Sequence, residues 1–302
     1  MSNIGNSNNI ARNYLDSLLI ETRYIDSTNP TLDFDLFGEN FSSPIMTAAL
    51  SHLDRFMFKG ASEALAKGAR DANAVLWYGM ADDEEIDRLV ATGARLIEII
   101  KPYSDRALIY TKIKHAEEKN LLAVGIDIDH PFGEDGSPDD VDGYQMMAIR
   151  AEELDEICGS TKLPVIAKGV LSIHDAEKCL KARVSGMVLS HHNNRIEYAI
   201  PPMMILPKIL EIVGKTVPVF IEDEIRTGMD AFKALALGAA GVCIGRPLMN
   251  AIKDDPENGV CTYLRKANDE LKKVMAYTGC TNISKMDPTV IHTVIHSATQ
   301  II

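Results

Sequence analysis

The chain has 302 residues, of which 46% are hydrophobic and 25% are charged, a composition typical of a globular protein with a sizeable core. Its formal net charge of −12 argues against a general nucleic-acid-binding surface and against binding to an anionic membrane. An anionic small ligand stays open, because a local cluster of arginines can outweigh the field of the whole chain.

The cysteines and the distribution of apolar residues indicate the cellular compartment in which we expect the protein. The five cysteines form no CxxC pair and no spacing typical of a metal site, so we predict reduced thiols in a cytoplasmic protein. Residues 1–15 are polar and contain no apolar segment that would indicate a signal peptide. No apolar run approaches the length of a membrane span, so we expect no membrane partner, and the net charge leads us to expect no nucleic acid as partner.

The first part of the sequence, residues 1–42, predicts an extension ahead of the regular elements. We expect a helix around Ala11–Leu19. In Thr31–Gly38 apolar and polar residues alternate, which is typical of a half-exposed strand. We interpret this strand as part of a hairpin that closes the bottom of a barrel.

From residue 43 onward, short apolar runs alternate with helix-patterned segments, which is typical of parallel strands in βα units. The eight predicted strands are Ser43–Leu50, Ala74–Gly79, Arg95–Ile100, Leu121–Asp127, Leu163–Gly169, Gly186–Ser190, Val217–Asp223 and Gly241–Arg246. Eight such units favour an α/β fold of the (β/α)8 TIM-barrel type over a doubly wound sheet. We predict one domain over residues 1–302, in which residues 43–302 form the barrel and a C-terminal helix.

Two further segments complete the predicted barrel. His130–Gly143, after the fourth strand, is rich in Gly, Pro and Asp, so we interpret it as a loop on the catalytic face that could act as a lid. Glu257–Gly279 has the pattern of a last helix, with Gly279 as its stop.

Ionisable residues follow several predicted strands, and in a barrel the carboxyl ends of the strands form the face where chemistry is done. Lys168 ends the fifth strand, where its cation could stabilise negative charge that a ligand gains during a reaction. The alternative is a lysine that merely extends its amino group to solvent. The ionisable groups at neighbouring strand ends favour the functional interpretation.

Two histidines follow the sixth strand. His192 is a candidate base because imidazole titrates near neutral pH, and Asp129 after the fourth strand could hold it and stabilise its protonated form. His191 is a rival that spacing alone does not exclude, and either residue could instead be structural. Arg195 could bind a substrate carboxylate through two hydrogen bonds, or it could form a surface ion pair.

Arginines follow the last two strands, Arg226 after the seventh and Arg246 after the eighth. Barrels often bind a phosphate here, assisted by backbone N–H groups and a helix N-terminus, and Gly245 allows close approach of the backbone. We therefore expect a phosphate-bearing cofactor or substrate. The acids at 222–224 would repel a phosphate, unless they point away or pair with the arginines.

Four motifs carry a resemblance that runs from about Arg23 through the last helix. They are GMDAFKALALGAAGVCIGRP at 228–247, SHHNNR at 190–195, PVIAKG at 164–169 and AVGIDIDHP at 123–131. On these motifs, of which the first is the most specific, the chain resembles the FMN-dependent α-hydroxy-acid oxidases and dehydrogenases. That family includes glycolate oxidase, lactate oxidase and mandelate dehydrogenase.

The resemblance implies that the protein oxidises a 2-hydroxy acid to the 2-oxo product, as a homo-oligomer for which a tetramer is suggested. Arg195 would bind the substrate carboxylate, and His192, with Asp129 as its partner, would take a proton while two electrons reach the flavin. The family's substrate-binding tyrosine after the third strand has no clear counterpart, and Lys101 or Tyr103 lies nearest.

The resemblance also implies FMN as the cofactor, with Lys168 near flavin N1, where it would stabilise the reduced, anionic flavin. The matched motifs place these residues at the cofactor: Lys168, Ser190, Glu222, Arg226, Gly245 and Arg246. Asn193 and Asn194 replace a pair of glycines of the family, and EDEIR at 222–226 replaces D-G-G-[VI]-R. These departures keep two alternatives open: an isomerase or lyase that binds flavin or another phosphate ligand, and a catalytically silent relative.

Overall fold

The computed structural model describes residues 4–293, and its central feature is a sheet of eight parallel strands. They are β1 (Ile45–Thr47), β2 (Leu76–Gly79), β3 (Leu96–Ile100), β4 (Ala123–Asp127), β5 (Val165–Val170), β6 (Gly186–Leu189), β7 (Val219–Ile221) and β8 (Gly241–Ile244). Each strand from β2 to β7 pairs with the strand that follows it in the chain, and β8 pairs with β1. Between β1 and β2, the Thr47 N–H donates to the Val75 carbonyl and Leu50 bridges to Tyr78. The predicted TIM barrel is confirmed.

The inside of the barrel is an apolar core that ends in charged residues. The rings of Trp77 and Phe220 meet edge to face there, with their centroids 5.6 Å apart. Ile97 and Ile99 of β3 belong to the same cluster. Because side chains alternate along a strand, the next inward position after β3 is Lys101, at the carboxyl end of the barrel.

Helices cover the outside, and a second apolar cluster lies between them and the strands. Their bounds are Leu53–Phe56, Ala61–Asp71, Asp83–Ala91, Arg106–Glu118, Ala151–Gly159, Ile173–Lys181, Pro202–Val213, Gly228–Ala236, Arg246–Asp254 and Gly259–Thr278, followed by 3-10 turns at Ile283–Lys285 and Pro288–Val290. The last α-helix stops at Gly279, whose φ of 72° is left-handed, as the sequence predicts. Within residues 4–293 no helix is long and apolar enough to cross a membrane.

The N-terminal extension differs from its prediction in the helix bounds. The helix spans Ser7–Ser17 instead of Ala11–Leu19, and the side chain of Asn6 caps its N-terminus. The prediction runs two residues too far because Leu18–Ile20 pairs antiparallel with Ile291–Thr293, a long-range partner that the local pattern does not reveal.

The predicted hairpin is present, formed by Phe34–Leu36 and Glu39–Phe41. Phe34 and Phe41 are buried in the same cluster as the inner barrel side chains. Apolar side chains on one face of the hairpin therefore extend the core of the barrel.

The predicted loop His130–Gly143 carries little regular structure. Asp140–Val141 pairs with Tyr144–Gln145, and Phe132 bridges to Pro138. The loop contacts the segment that follows β6, as described below, so it lies over the carboxyl ends of the strands.

Candidate active site

A buried carboxylate, Asp127 at the end of β4, organises the inner part of the site. Its Oδ2 lies 2.5 Å from Nζ of Lys101, and its Oδ1 lies 3.5 Å from Nζ of Lys168. Burial raises the pKa of Asp127, but the charges of Lys168, His192 and Lys101 outweigh that effect and hold the pKa well below its usual range. Sequence reasoning passed over Asp127 in favour of Asp129, although both acids stand in the motif IDIDHP.

Lys168 lies where the sequence predicts it, at the carboxyl end of β5, and it is buried. Its Nζ is 3.0 Å from the carboxylate of Glu222. Burial lowers the pKa of this lysine, but the carboxylates of Asp127, Glu222 and Asp129 raise it well above its usual value. Lys168 is therefore a permanent cation, and the alternative of a lysine extended into solvent is wrong.

His192 faces the mouth of the barrel. Its Nδ1 lies 2.9 Å from Oδ1 of Asp129 and 3.4 Å from Oδ1 of Asp127. Burial lowers the pKa of the imidazole, but the two carboxylates prevail over burial and over the charge of Lys168, and they raise the pKa to about 9. At neutral pH the ring is therefore protonated in the free protein, and it becomes a base as the pH rises.

The partner carboxylate fits only because a glycine follows Lys168. Gly169 has a φ of +94°, and a Cβ on it would lie 2.1 Å from Cγ of Asp129. Burial, followed by the charge of Asp127, raises the pKa of Asp129, while His192 acts in the opposite direction. The Lys-Gly pair of the motif thus places a cation and makes room for the histidine's partner.

The structure separates the two histidines. The side chain of His191 is fully buried, with Nδ1 3.2 Å from the N–H of Asn194 and 3.3 Å from Asp223. Its own backbone N–H donates to Asp223 at 2.5 Å. His191 therefore supports the loop, while His192 is the histidine at the barrel mouth.

The residues that replace the paired glycines keep a left-handed backbone, with φ of 55° at Asn193 and 66° at Asn194. Asparagine tolerates this region better than most residues. Oδ1 of Asn194 accepts the N–H of Ser7 at 2.6 Å, so the helix Ser7–Ser17 abuts the loop. Ser190, expected at the cofactor, is buried and its hydroxyl accepts the N–H of His192 at 2.9 Å, so it supports the same loop.

Arg195 and Lys101, the expected substrate-binding residues, are connected by two residues that sequence reasoning missed. Nη2 of Arg195 lies 2.6 Å from Oδ2 of Asp139 and also donates to the carbonyl of Phe132. His130 lies between, with Nε2 2.7 Å from Asp139 and Nδ1 2.6 Å from Nζ of Lys101. His130 follows the fourth strand within the motif IDIDHP, whereas Asp139 carries no local signal because it acts through contacts of a long irregular loop.

Tyr103, the other candidate for the substrate-binding position, does not reach this network. It is buried, and its ring packs edge to face on Tyr144 with the centroids 5.4 Å apart. Lys101 is therefore the candidate that lies in the barrel mouth. Asp127, His130 and His192 come close enough to hold a metal ion, but the ammonium group of Lys101 already contacts the first two.

The expected phosphate site holds a carboxylate of the chain itself. Nη2 of Arg226 and Nη2 of Arg246 both form ion pairs with Glu224, whose side chain is 1% exposed while each arginine is about half exposed. Of the arrangements that the sequence left open for the acids at 222–224, pairing with the arginines is the one found for Glu224. Gly245 precedes the helix Arg246–Asp254, so the eighth strand ends at Ile244 and not at Arg246 as predicted.

A cleft of about 280 Å³ connects the two ends of this site. Lys168 and His192 line one end, and Arg226, Gly245 and Arg246 line the other. This volume lies just below the range of about 300–1,000 Å³ that is typical of small-molecule sites. The fold thus brings the predicted residues together around one cavity, whose arginines suit a ligand with an anionic group.

Comparison with known proteins agrees with this geometry. The model of a family described as FMN-dependent dehydrogenase matches residues 2–148 and 133–293. The chain is 28% identical to glycolate oxidase 2 of Oryza sativa subsp. indica, over 89% of this chain and 81% of that protein. It is 29% identical to the L-lactate oxidase of Roseobacter sp. (strain GAI101), over 84% of this chain and 77% of that protein.

Solved structures of mandelate oxidase share the fold. The structure with benzoyl-formic acid superposes with a TM-score of 0.86 at 25% identity, covering 96% of this chain and 90% of that one. A mutant of mandelate oxidase with the monooxide FMN adduct superposes with a TM-score of 0.85 at 26% identity, covering 96% of this chain and 91% of that one.

The donors around the cleft fit FMN. Lys168 would supply a buried positive charge to a flavin ring that gains electrons, and the two arginines and a helix N-terminus would supply donors to its phosphate. Glu224 opposes the fit, since its carboxylate already engages both arginines. FMN binding therefore requires this carboxylate to move or to share its partners.

Proposed function

Because the chain belongs to the FMN-dependent dehydrogenase family, we propose that it oxidises a 2-hydroxy acid to the corresponding 2-oxo acid. The observation that carries this proposal is the imidazole of His192, held by two carboxylates at the barrel mouth near Lys168. When bound, FMN supplies the two-electron acceptor. The residues of the chain supply the proton transfer, the orientation and the electrostatics.

His192 is the proposed base. In its neutral form it takes a proton from the hydroxy acid, and Asp129 and Asp127 stabilise the imidazolium that results. Lys168 stabilises the negative charge that arrives with the electron pair. Because Lys168 stays protonated, it acts as a fixed charge and not as a proton donor.

Arg195 and Lys101 are the proposed ligands of the substrate carboxylate. In the structure Asp139 pairs with Arg195, and His130 connects Asp139 to Lys101. A substrate carboxylate that binds these cations displaces Asp139, so the loop His130–Gly143 has to open. This supports a role of the loop as a lid that exchanges an internal carboxylate for that of the substrate.

We further propose that the protein acts as a single barrel domain in the cytoplasm and assembles into a homo-oligomer. The cysteines support the location, since all five are free thiols and four of them are buried. The oligomer rests on the sequence resemblance alone, and sedimentation of the purified protein measures it directly.

The first test is the visible absorption spectrum of the purified full-length protein, followed by denaturation and identification of any released chromophore. We expect a yellow protein that releases FMN and that at least one 2-hydroxy acid bleaches under anaerobic conditions. His192→Ala should retain the flavin and slow bleaching by about 10²–10⁴-fold. His174→Ala is the matched control, because His174 is exposed on the helix Ile173–Lys181.

A second candidate is a catalytically silent relative, and one observation favours it. Carboxylates of the chain, Asp139 and Glu224, already occupy the arginines proposed for the substrate and for the phosphate. This candidate predicts a colourless protein that takes up no added FMN, a result that would overturn the oxidase proposal.

A further inference from the structure

The ion pairs of Glu224 occupy the end of the cleft that is suited to a phosphate. The two carboxylate oxygens divide between Nη2 of Arg226 and Nη2 of Arg246. The side chain is 1% exposed, and residue 224 lines the cleft together with both arginines. A carboxylate here presents two anionic oxygens to the same donors that a phosphate would use.

The backbone holds Glu224 in this position despite an unfavourable conformation. Its φ is 59°, and that of Asp223 is 80°, both in the left-handed region that favours glycine. Arg12 of the helix Ser7–Ser17 donates to the carbonyl of Glu224 at 2.9 Å and binds Asp230 through two hydrogen bonds. The segment is therefore fixed from outside the cleft, and the carboxylate points to the arginines.

The charge of the Glu224 carboxylate lowers the affinity of this end of the cleft for a phosphate. Two arginines alone would offer a phosphate two positive charges, but with the carboxylate between them the group carries a net charge of only about +1. A phosphate must in addition displace a charge-assisted contact that already exists, and the displaced carboxylate has to regain solvent or another partner. Both effects reduce the gain in binding affinity that a phosphate group gives to a ligand of this cleft.

We propose that the Glu224 carboxylate is a built-in competitor of the cofactor's 5′-phosphate, and that this residue weakens the protein's preference for FMN over unphosphorylated riboflavin. This inference rests on the proposed function, since it takes a flavin as the ligand of the cleft. Glu224 is thus a specificity-determining residue that acts on the phosphate and not on the ring.

The opposite role is also physically reasonable, because a carboxylate between two arginines can hold them in the geometry that a phosphate requires. The two roles predict opposite changes in FMN affinity when the charge of Glu224 is removed. If Glu224 competes, removing its charge tightens FMN binding; if it positions the arginines, removing its charge weakens FMN binding.

The experiment titrates FMN and riboflavin into the full-length protein, freed of any flavin that copurifies, and follows quenching of flavin fluorescence. Glu224→Gln removes the charge and keeps the shape, whereas Glu224→Gly also removes the side chain and relieves the left-handed backbone. Glu177→Gln is the control for the change in net charge, because Glu177 is exposed on the helix Ile173–Lys181.

In the unaltered protein we expect the dissociation constants of FMN and riboflavin to agree within about tenfold, which corresponds to about 1.4 kcal/mol. In both Glu224 variants FMN should bind at least about tenfold more tightly, with riboflavin affinity unchanged. Inorganic phosphate should raise the melting temperature of Glu224→Gly more than that of the unaltered protein. The Glu177→Gln control should bind both flavins as the unaltered protein does.

Other outcomes contradict the inference. Unchanged or weaker FMN binding in both Glu224 variants would overturn competition while leaving FMN as cofactor. A preference of more than about a thousandfold for FMN in the unaltered protein would do the same. If no variant binds either flavin, both the competition and the proposed function fail. If the variants gain FMN affinity but no hydroxy acid reduces the flavin, the competition stands and the oxidase proposal fails.

Discussion

The charge on His192 makes the proposed reaction dependent on pH in a defined direction. Its two neighbouring carboxylates raise the pKa to about 9, from an ordinary value of 6.5. At pH 7 only about 1% of the imidazole is therefore in the base form, against about half at pH 9. We predict that kcat/KM rises roughly tenfold per pH unit between pH 6 and pH 8 and levels off above about pH 9.

A substitution that removes a carboxylate tests the cause of this shift. Asp129→Asn keeps the shape of the side chain at Nδ1 of His192 but removes a negative charge 2.9 Å away. The pKa of His192 should fall, and the rising limb of the profile should move to lower pH. The maximal rate should also fall, because the imidazolium formed in the reaction has lost part of its stabilisation.

The assay combines anaerobic flavin reduction across the pH range with NMR titration of the imidazole signals, which needs no substrate. The chain has eight histidines, and the signal that His192→Gln removes is that of His192. A rate profile that levels off near pH 6.5 in the unaltered protein, with an NMR midpoint to match, would refute the electrostatic argument. So would a shift of the Asp129→Asn profile to higher pH.

The same linkage predicts a change in stability. Because the folded-state pKa lies above the ordinary 6.5, protonated His192 stabilises the fold below about pH 6.5, and this contribution is lost as the pH rises through about 9. Three further predictions accompany it. Gly169→Ala should destabilise the protein by about 2–5 kcal/mol in denaturant unfolding, since its φ is +94° and its Cβ would lie 2.1 Å from Cγ of Asp129. Gly38→Ala, at a φ of +85° with nothing within 4 Å, should cost only the left-handed backbone energy of about 1–2 kcal/mol, so equal losses at the two glycines would contradict the steric argument. Asp139→Asn should lower KM for the 2-hydroxy acid by freeing Arg195, and a higher KM in steady-state kinetics would show that Asp139 instead orients that arginine.

Much of the architecture follows from short stretches of sequence. Each barrel strand overlaps an apolar run bounded by turn residues, because a strand buried on both faces needs a continuous apolar run. The ends of these runs also place Lys168, Arg226 and Arg246 on one face, since all strands of a parallel barrel end on the same side. These features depend on local pattern and on one rule of topology, which is why the sequence alone predicts them.

The assignment of roles within the site needed the tertiary structure. Which of His191 and His192 faces the barrel mouth depends on a left-handed turn at residues 192–194, whose direction no local pattern reveals. The central place of Asp127 depends on lysines from two neighbouring strands converging inside the barrel.

Long-range contacts decided the rest. Asp139 reaches Arg195 across 56 positions of sequence, and Glu224 reaches Arg246 across 22. The sequence around an acidic residue does not indicate which cation it will contact, because that contact depends on how two separate loops fold. The sequence therefore determined the barrel and the set of charged residues at its mouth, and only the tertiary structure decided that carboxylates of the chain itself occupy the sites proposed for the anions of substrate and cofactor.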